Sequence, residues 1–153
     1  MHPPSHLKRL IHGHCVAVLQ ERIQAAQEAA ASIQDSARSD TKSSAGDKHE
    51  TARAMAQIEL EKQQLVLRHL SLMKATLDGM DPDEHHEAVE PGALISTDLG
   101  AFYIATSLGK VVVEGVPIWV ISPQAPLFQV LKDTPVGEIA FFNGQAYRMQ
   151  EVA

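Results

Sequence analysis

Ser39-Asp40-Thr41-Lys42-Ser43-Ser44-Ala45-Gly46 is a polar stretch of turn-forming residues. On either side the composition changes sharply. Residues 6–38 and 50–77 contain no proline and a single glycine, Gly13. Both are rich in Ala, Leu, Gln, Glu, Lys and Arg, which lose little side-chain freedom in a helix. A short polar break between two long helices folds them back on each other, so the sequence predicts an antiparallel helical hairpin over residues 1–78. Val16, Leu19, Ile23, Ala26, Ala30, Ile33 and Ala37 alternate spacings of three and four, the pattern of a coiled-coil seam. Its alanines allow close helix approach. In the second helix Ile58, Leu65 and Leu72 recur every seven residues. Leu60 with Leu67 and Leu70 with Leu77 form adjacent rows. This helix becomes more apolar toward its C-terminal end, where it would dock on a body.

Beyond Asp78 the pattern changes. Gly79 stops the helix, and residues 79–91 form a linker with two prolines and a run of charge. A small β-rich domain is expected over residues 92–153, making the chain α+β. Candidate strands are 93–97, 102–105, 110–113 and 117–121, with turns at Leu99-Gly100 and Glu114-Gly115. Ser122-Pro123 reads as N-cap and first helical residue, opening a short helix over 125–132. Residues 138–142 and 145–149 then form a hairpin around Asn143-Gly144. Trp119 and the aromatics Phe102, Tyr103, Phe128, Phe141, Phe142 and Tyr147 read as the core of this domain.

Composition narrows the function. The chain has 153 residues with a net charge of −6, 44% hydrophobic and 21% charged, which describes a folded protein. Residues 1–78 carry about 10 Lys and Arg against about 9 Asp and Glu. Residues 79–153 carry only Lys110, Lys132 and Arg148 against about 10 acids, so they offer no basic face to a phosphate backbone. Direct nucleic-acid binding is not expected, whereas binding to a large protein partner is open. No apolar run approaches the roughly 18 residues of a membrane span, and no signal-peptide core stands at Met1-His2-Pro3-Pro4-Ser5-His6. The lone Cys15 suits a reducing compartment, so the expected location is the cytoplasm.

The chemistry-bearing candidates are Asp47 and Glu50, at the expected hairpin tip. Residues three apart share a helix face, so the two carboxylates can be presented together at the end of the hairpin. A capping role, with Asp47 as N-cap and Glu50 completing a capping box, is the alternative reading of the same pair. His12 and His14, two apart on a helix, diverge and cannot chelate. His85-His86 read as solvated residues of the acidic linker, and Cys15 as packed on the first helix. No P-loop, Gly-x-Ser-x-Gly or Cys-x-x-Cys occurs.

In its C-terminal half the sequence resembles the bacterial Gre family of transcript cleavage factors. The residues that carry this are Val120-Ile121-Ser122-Pro123-Gln124-Ala125-Pro126-Leu127, then Leu131, Val136-Gly137-Glu138, and Phe142-Asn143-Gly144-Gln145-Ala146-Tyr147. At the tip, Gly46-Asp47-Lys48-His49-Glu50 reproduces the family's glycine-aspartate followed three residues on by glutamate. The family's tip usually continues with an asparagine and a tyrosine, where this chain has Thr51-Ala52-Arg53-Ala54. The resemblance implies an FKBP-like C-terminal domain and a coiled-coil arm. It implies RNA polymerase as partner, with nascent RNA met only within that complex. Asp47 and Glu50 would share a Mg²⁺ there, while the free protein would hold no cofactor. The factor would then be no enzyme itself but would stimulate the polymerase's own hydrolysis of backtracked RNA through the secondary channel. Two alternatives stand beside it: a secondary-channel regulator without cleavage activity, and an FKBP-like interaction module with an oligomerising coiled coil.

Overall fold

The computed structural model describes residues 4–43 and 47–153. The chain is α+β, with two long N-terminal helices followed by a six-stranded mixed sheet. Helix α1 spans Pro4–Ser43 and α2 spans Asp47–Asp78. Both outrun the expected limits. The first five residues of the polar break continue α1, because Ser, Asp, Thr and Lys each cost a helix well under 1 kcal/mol relative to Ala. Residues 44–46 lie outside the described ones. At the other end of α2, the Gly79 amide donates to the Ala75 carbonyl at 3.1 Å.

The described chain divides into two compact units: Val18–Lys74, and the residues up to Ala17 together with Ala75–Ala153. In the helical unit, Leu19 and Ala26 are buried, and Ile23, Ala30, Ile33 and Ala37 are half-buried. The facing row of α2 is Ala52, Ala56, Leu60, Gln63, Leu67 and Leu70, all turned inward. Ser32, Ile33 and Ala37 of α1 share a shallow groove with Met55, Ala56 and Glu59 of α2, which puts the later part of α1 beside the first part of α2. Ile58, Leu65 and Leu72 do not join this seam and are exposed.

The second unit is built on the sheet. Its strands are β1 (Leu94–Thr97), β2 (Gly100–Ile104), β3 (Gly109–Val113), β4 (Val116–Ile121), β5 (Ile139–Phe142) and β6 (Gln145–Val152), in the order β3-β4-β2-β1-β6-β5. Only β2 and β4 run parallel. The β5–β6 turn places Asn143 at φ 48° and Gly144 at φ 75°, the two left-handed residues that match strand twist. Glu114 and Gly115 turn β3 into β4 in the same way.

Strand alternation sorts the core into two layers. Ile95, Phe102, Ile104, Ala140 and Met149 pack with Phe128 and Leu131 of helix α3 (Pro126–Lys132) on one face. Leu94, Tyr103, Val111, Val113, Ile118 and Val120 are buried on the other. The first turns of α1 lie against this second face: His12 Nδ1 is 2.9 Å from the Tyr103 hydroxyl oxygen, within hydrogen-bond reach. Ile11, Cys15 and Leu77 are fully buried in the same unit.

Three readings are corrected. Ser122 does not cap α3: the N-cap is Ala125, with Pro126 at the first helical positions. Ser122 instead closes the preceding turn, its carbonyl accepting from the Ala125 amide at 3.0 Å. The sequence Ser-Pro-x-x-Pro offered two starts, and the extended Ala125 before the second proline took it. His86 is not solvated but buried, its Nδ1 2.7 Å from Glu90 Oε1. Segment 79–91, without helix or strand, is tied to α1: Lys8 Nζ donates to the Glu84 carbonyl and Arg9 pairs with Asp83 at 2.8 Å. Finally, the aromatics are not all core. Phe102, Tyr103 and Phe128 are buried, Phe142 and Tyr147 half-buried, but Trp119 and Phe141 are exposed.

Leu131→Ala should cost about 2–5 kcal/mol in urea unfolding because it empties a closed core site. Leu65→Ala, on an exposed helix face, should cost less than about 0.5 kcal/mol. A pH effect should also appear. Burial holds the His12 imidazole below its usual range, against the opposing charges of Asp78 and Asp81. The folded chain therefore declines a proton that the unfolded chain takes up below about pH 6.5, so this contribution is complete above that pH and lost as pH falls. His12→Gln should flatten the decline in urea midpoint between about pH 7.5 and pH 5.5.

Candidate functional site

The two expected site residues occupy the first turn of α2. Asp47 is the first helical residue, and its side chain lies outside the described residues, as do those of Lys48 and His49. Glu50 is exposed, three residues further along. Acidic residues are favoured here because the free amides of a helix N-terminus carry partial positive charge. The same amides favour any anionic group brought to this end. Whether the Asp47 side chain caps the helix falls outside the described residues. Among the described residues, no three of His, Cys, Asp or Glu are grouped so as to hold a metal. His12 turns to Tyr103 while His14 is exposed, so the two diverge as their spacing requires.

A second site lies in the sheet unit, where the sequence reads the aromatics as core with an FKBP-like pocket for a prolyl ligand as the lesser alternative. A groove of about 650 Å³ is lined by Leu99, Phe102, Trp119, Ile121, Leu127, Phe142, Asn143, Gln145 and Tyr147. Its floor follows from sheet register. Phe102 of β2 pairs with Trp119 of β4 in the parallel ladder, so both rings stand on the face covered by α3. Helix α3 covers the centre of that face and leaves β4 open, which is why Trp119 remains 43% exposed. Tyr147 meets Phe102 edge to face at 5.6 Å, a favourable arrangement of ring quadrupoles. Lys110, opposite Trp119 in the β3–β4 ladder, holds its ammonium 6.0 Å from the indole centroid. Asn143 and Gln145 add amide groups at the end formed by the β5–β6 turn. An aromatic floor with a few amides at its rim suits an apolar or proline-bearing protein segment.

The sequence held one usable signal for this groove, the Asn143-Gly144 turn that sets Asn143 and Gln145 at the strand ends. The pairing of Phe102 with Trp119 carries no local signal, because it depends on β4 turning back from the edge strand β3 to lie between β3 and β2, parallel to β2.

A smaller recess of about 210 Å³ is lined by Ser5, Lys8, Asp83, Glu84, His85, Glu151 and Ala153. Its one ammonium, Lys8 Nζ, already donates to the Glu84 carbonyl, and burial lowers its affinity for a proton. Asp83, Glu84 and Glu151 repel anions, so the recess is a structural joint. Cys15 is fully buried, and burial pushes its thiol up to about 11, which keeps it protonated and unreactive at neutral pH.

No protein-family model, curated protein or solved structure matches the chain. Among the described residues, no helix is long and apolar enough to cross a membrane.

Trp119 is the only tryptophan, so its fluorescence reports on the groove. Acrylamide should quench the native protein readily. Trp119→Ala should leave the fold intact, since the side chain is half in water, and should empty the groove of its largest contact surface. A native emission shielded from quencher in the isolated protein would show the groove to be closed in solution.

Proposed function

We propose that the protein is a Gre-type transcription elongation factor that acts within bacterial RNA polymerase. The observation that carries this reading is the placement of two acidic residues in the opening turn of α2, at the turn end of a two-helix antiparallel unit, with Glu50 exposed. Helix α2 is about 48 Å long at 1.5 Å per residue. A rod about two helices wide can enter a channel closed to a globular domain and bring its end carboxylates to an active centre. The glycine-aspartate-x-x-glutamate spacing at that end and the residue pattern of 120–147 support the same family.

Asp47 and Glu50 would then hold a Mg²⁺ that the polymerase and the RNA phosphates also ligate. The residues suit such a shared ion better than a resident one, because two carboxylates leave most of the six Mg²⁺ positions to water and phosphate. When bound, Mg²⁺ polarises a phosphoryl oxygen and acidifies a coordinated water. The part of this chain is to place the two carboxylates, while the polymerase carries out the hydrolysis. The aromatic groove supplies the docking surface, an apolar floor for a segment of the polymerase near the channel mouth. A regulator that occupies the channel without promoting cleavage is the second reading. It is favoured by the absence of the family's asparagine and tyrosine after Glu50.

One set of variants separates these readings. Asp47→Ala and Glu50→Ala should each lower RNA cleavage in stalled polymerase complexes by about a hundredfold or more, as expected when a metal-positioning group is lost. Both should bind the polymerase with unchanged affinity. Each melting curve must accompany the assay, since a lost cap alone costs about 1 kcal/mol. Trp119→Ala should weaken binding without altering the chemistry at saturation. A wild-type protein that binds and slows elongation without cleavage establishes the regulator. Absence of any affinity for the polymerase removes both readings.

A further inference from the structure

Helix α2 carries two apolar rows, one turned inward and one exposed. Leu60 and Leu67 face α1, while Ile58, Leu65 and Leu72 are 54%, 60% and 64% exposed. Isolated exposed leucines are ordinary, but three at seven-residue spacing form a seam. They fall within about 20° of one line along the helix and span about 21 Å. An aligned seam of this kind is what one helix presents to another.

The residues around the seam are arranged symmetrically about Leu65. Ile58 and Leu72 stand seven residues to either side. Glu61 and Arg68 lie on one flank, and Lys62 and His69 on the other, each about 40–60° from Leu65. If a second α2 runs antiparallel across a two-fold axis at Leu65, like flanks meet. Ile58 then faces Leu72 of the second copy, and Leu65 meets its own equivalent. Glu61 comes within about 1.5 Å of the axial level of the second copy's Arg68, and the pair occurs twice. On the other flank Lys62 stands opposite His69 of the second copy. Lys62 is already engaged by Glu59 at 3.3 Å, whereas Arg68 makes no ion pair among the described residues. The antiparallel arrangement thus gives Arg68 a carboxylate partner.

We propose that this outer face of α2 is a self-association surface, on which a second copy of the chain docks antiparallel about Leu65. The contact is one helix wide, below the area of a standard interface, so the dimer is weak and its dissociation constant is on the order of micromolar. The surface is distinct from the tip and the groove, and the inference stands whether or not the polymerase reading does.

Sedimentation equilibrium of the full chain from about 1 to about 200 µM should show a monomer–dimer equilibrium. Leu65→Glu, which sets two carboxylates together on the axis, should leave only monomer in that range with unchanged helical circular dichroism. Glu61→Arg or Arg68→Glu alone should weaken the dimer about tenfold, and the two together should restore it to within about threefold. A wild-type protein that is monomeric throughout, or a dimer indifferent to Leu65→Glu, overturns the proposal. Failure of the double exchange to restore what the single exchanges lose overturns the antiparallel pairing.

Discussion

Strand β2 has no face to give to water. Phe102 and Ile104 point to one side of the sheet, Ala101 and Tyr103 to the other, and all four are buried. A strand in this position needs a cover on each face. Helix α3 supplies one with Phe128 and Leu131. The first turns of α1 supply the other, and His12 meets the Tyr103 hydroxyl there. Lys8, Arg9 and the segment 79–91 lock this cover by hydrogen bonds and an ion pair. The N-terminal residues up to Ala17 therefore belong to the same compact unit as the sheet. The helical unit begins only where α1 has cleared that duty.

The rest of the helical pair answers to a different demand. From Leu19 to Ala37 the seam of α1 mixes large and small residues, and the facing row of α2 begins with Ala52 and Ala56. Small residues toward the turn end keep that end slender. This is a poor way to build a core, since alanine buries little apolar area, and a sensible way to build a rod. The aromatic groove is open in the same unit as the sheet: Trp119 is exposed although its ladder partner Phe102 is buried.

Much of this was legible in the sequence because it is local. The helices follow from composition and from the absence of proline, and the seam of α1 from its spacing. The β5–β6 hairpin follows from Asn143-Gly144, where only residues tolerant of positive φ fit the turn. What was not legible depends on contacts far apart in the chain. The charge run at 81–87 reads as a solvated linker until α1 is laid beside it, when Asp83 and the Glu84 carbonyl become partners of Arg9 and Lys8. His86 is buried by Gly92, which leaves no room there for a larger residue: an added Cβ would stand 2.8 Å from the imidazole Nε2. Trp119 reads as core because no local pattern tells that α3 stops short of β4. For the tip, residue spacing identifies Asp47 and Glu50 but cannot separate a cap from a metal ligand, since both uses demand carboxylates in the same turn.

On the proposed reading, the sheet unit holds the polymerase and the helical unit delivers the acids. Its central claim is one of reach: the opening turn of α2 must arrive beside the reacting phosphate. A photocrosslinker attached at position 50, through Glu50→Cys in a Cys15→Ser background, tests this directly in stalled elongation complexes. The account predicts crosslinks to the 3′ end of backtracked RNA and to the acidic centre of the polymerase, lost when Trp119→Ala weakens docking. Crosslinks confined to the outer surface of the polymerase would contradict it.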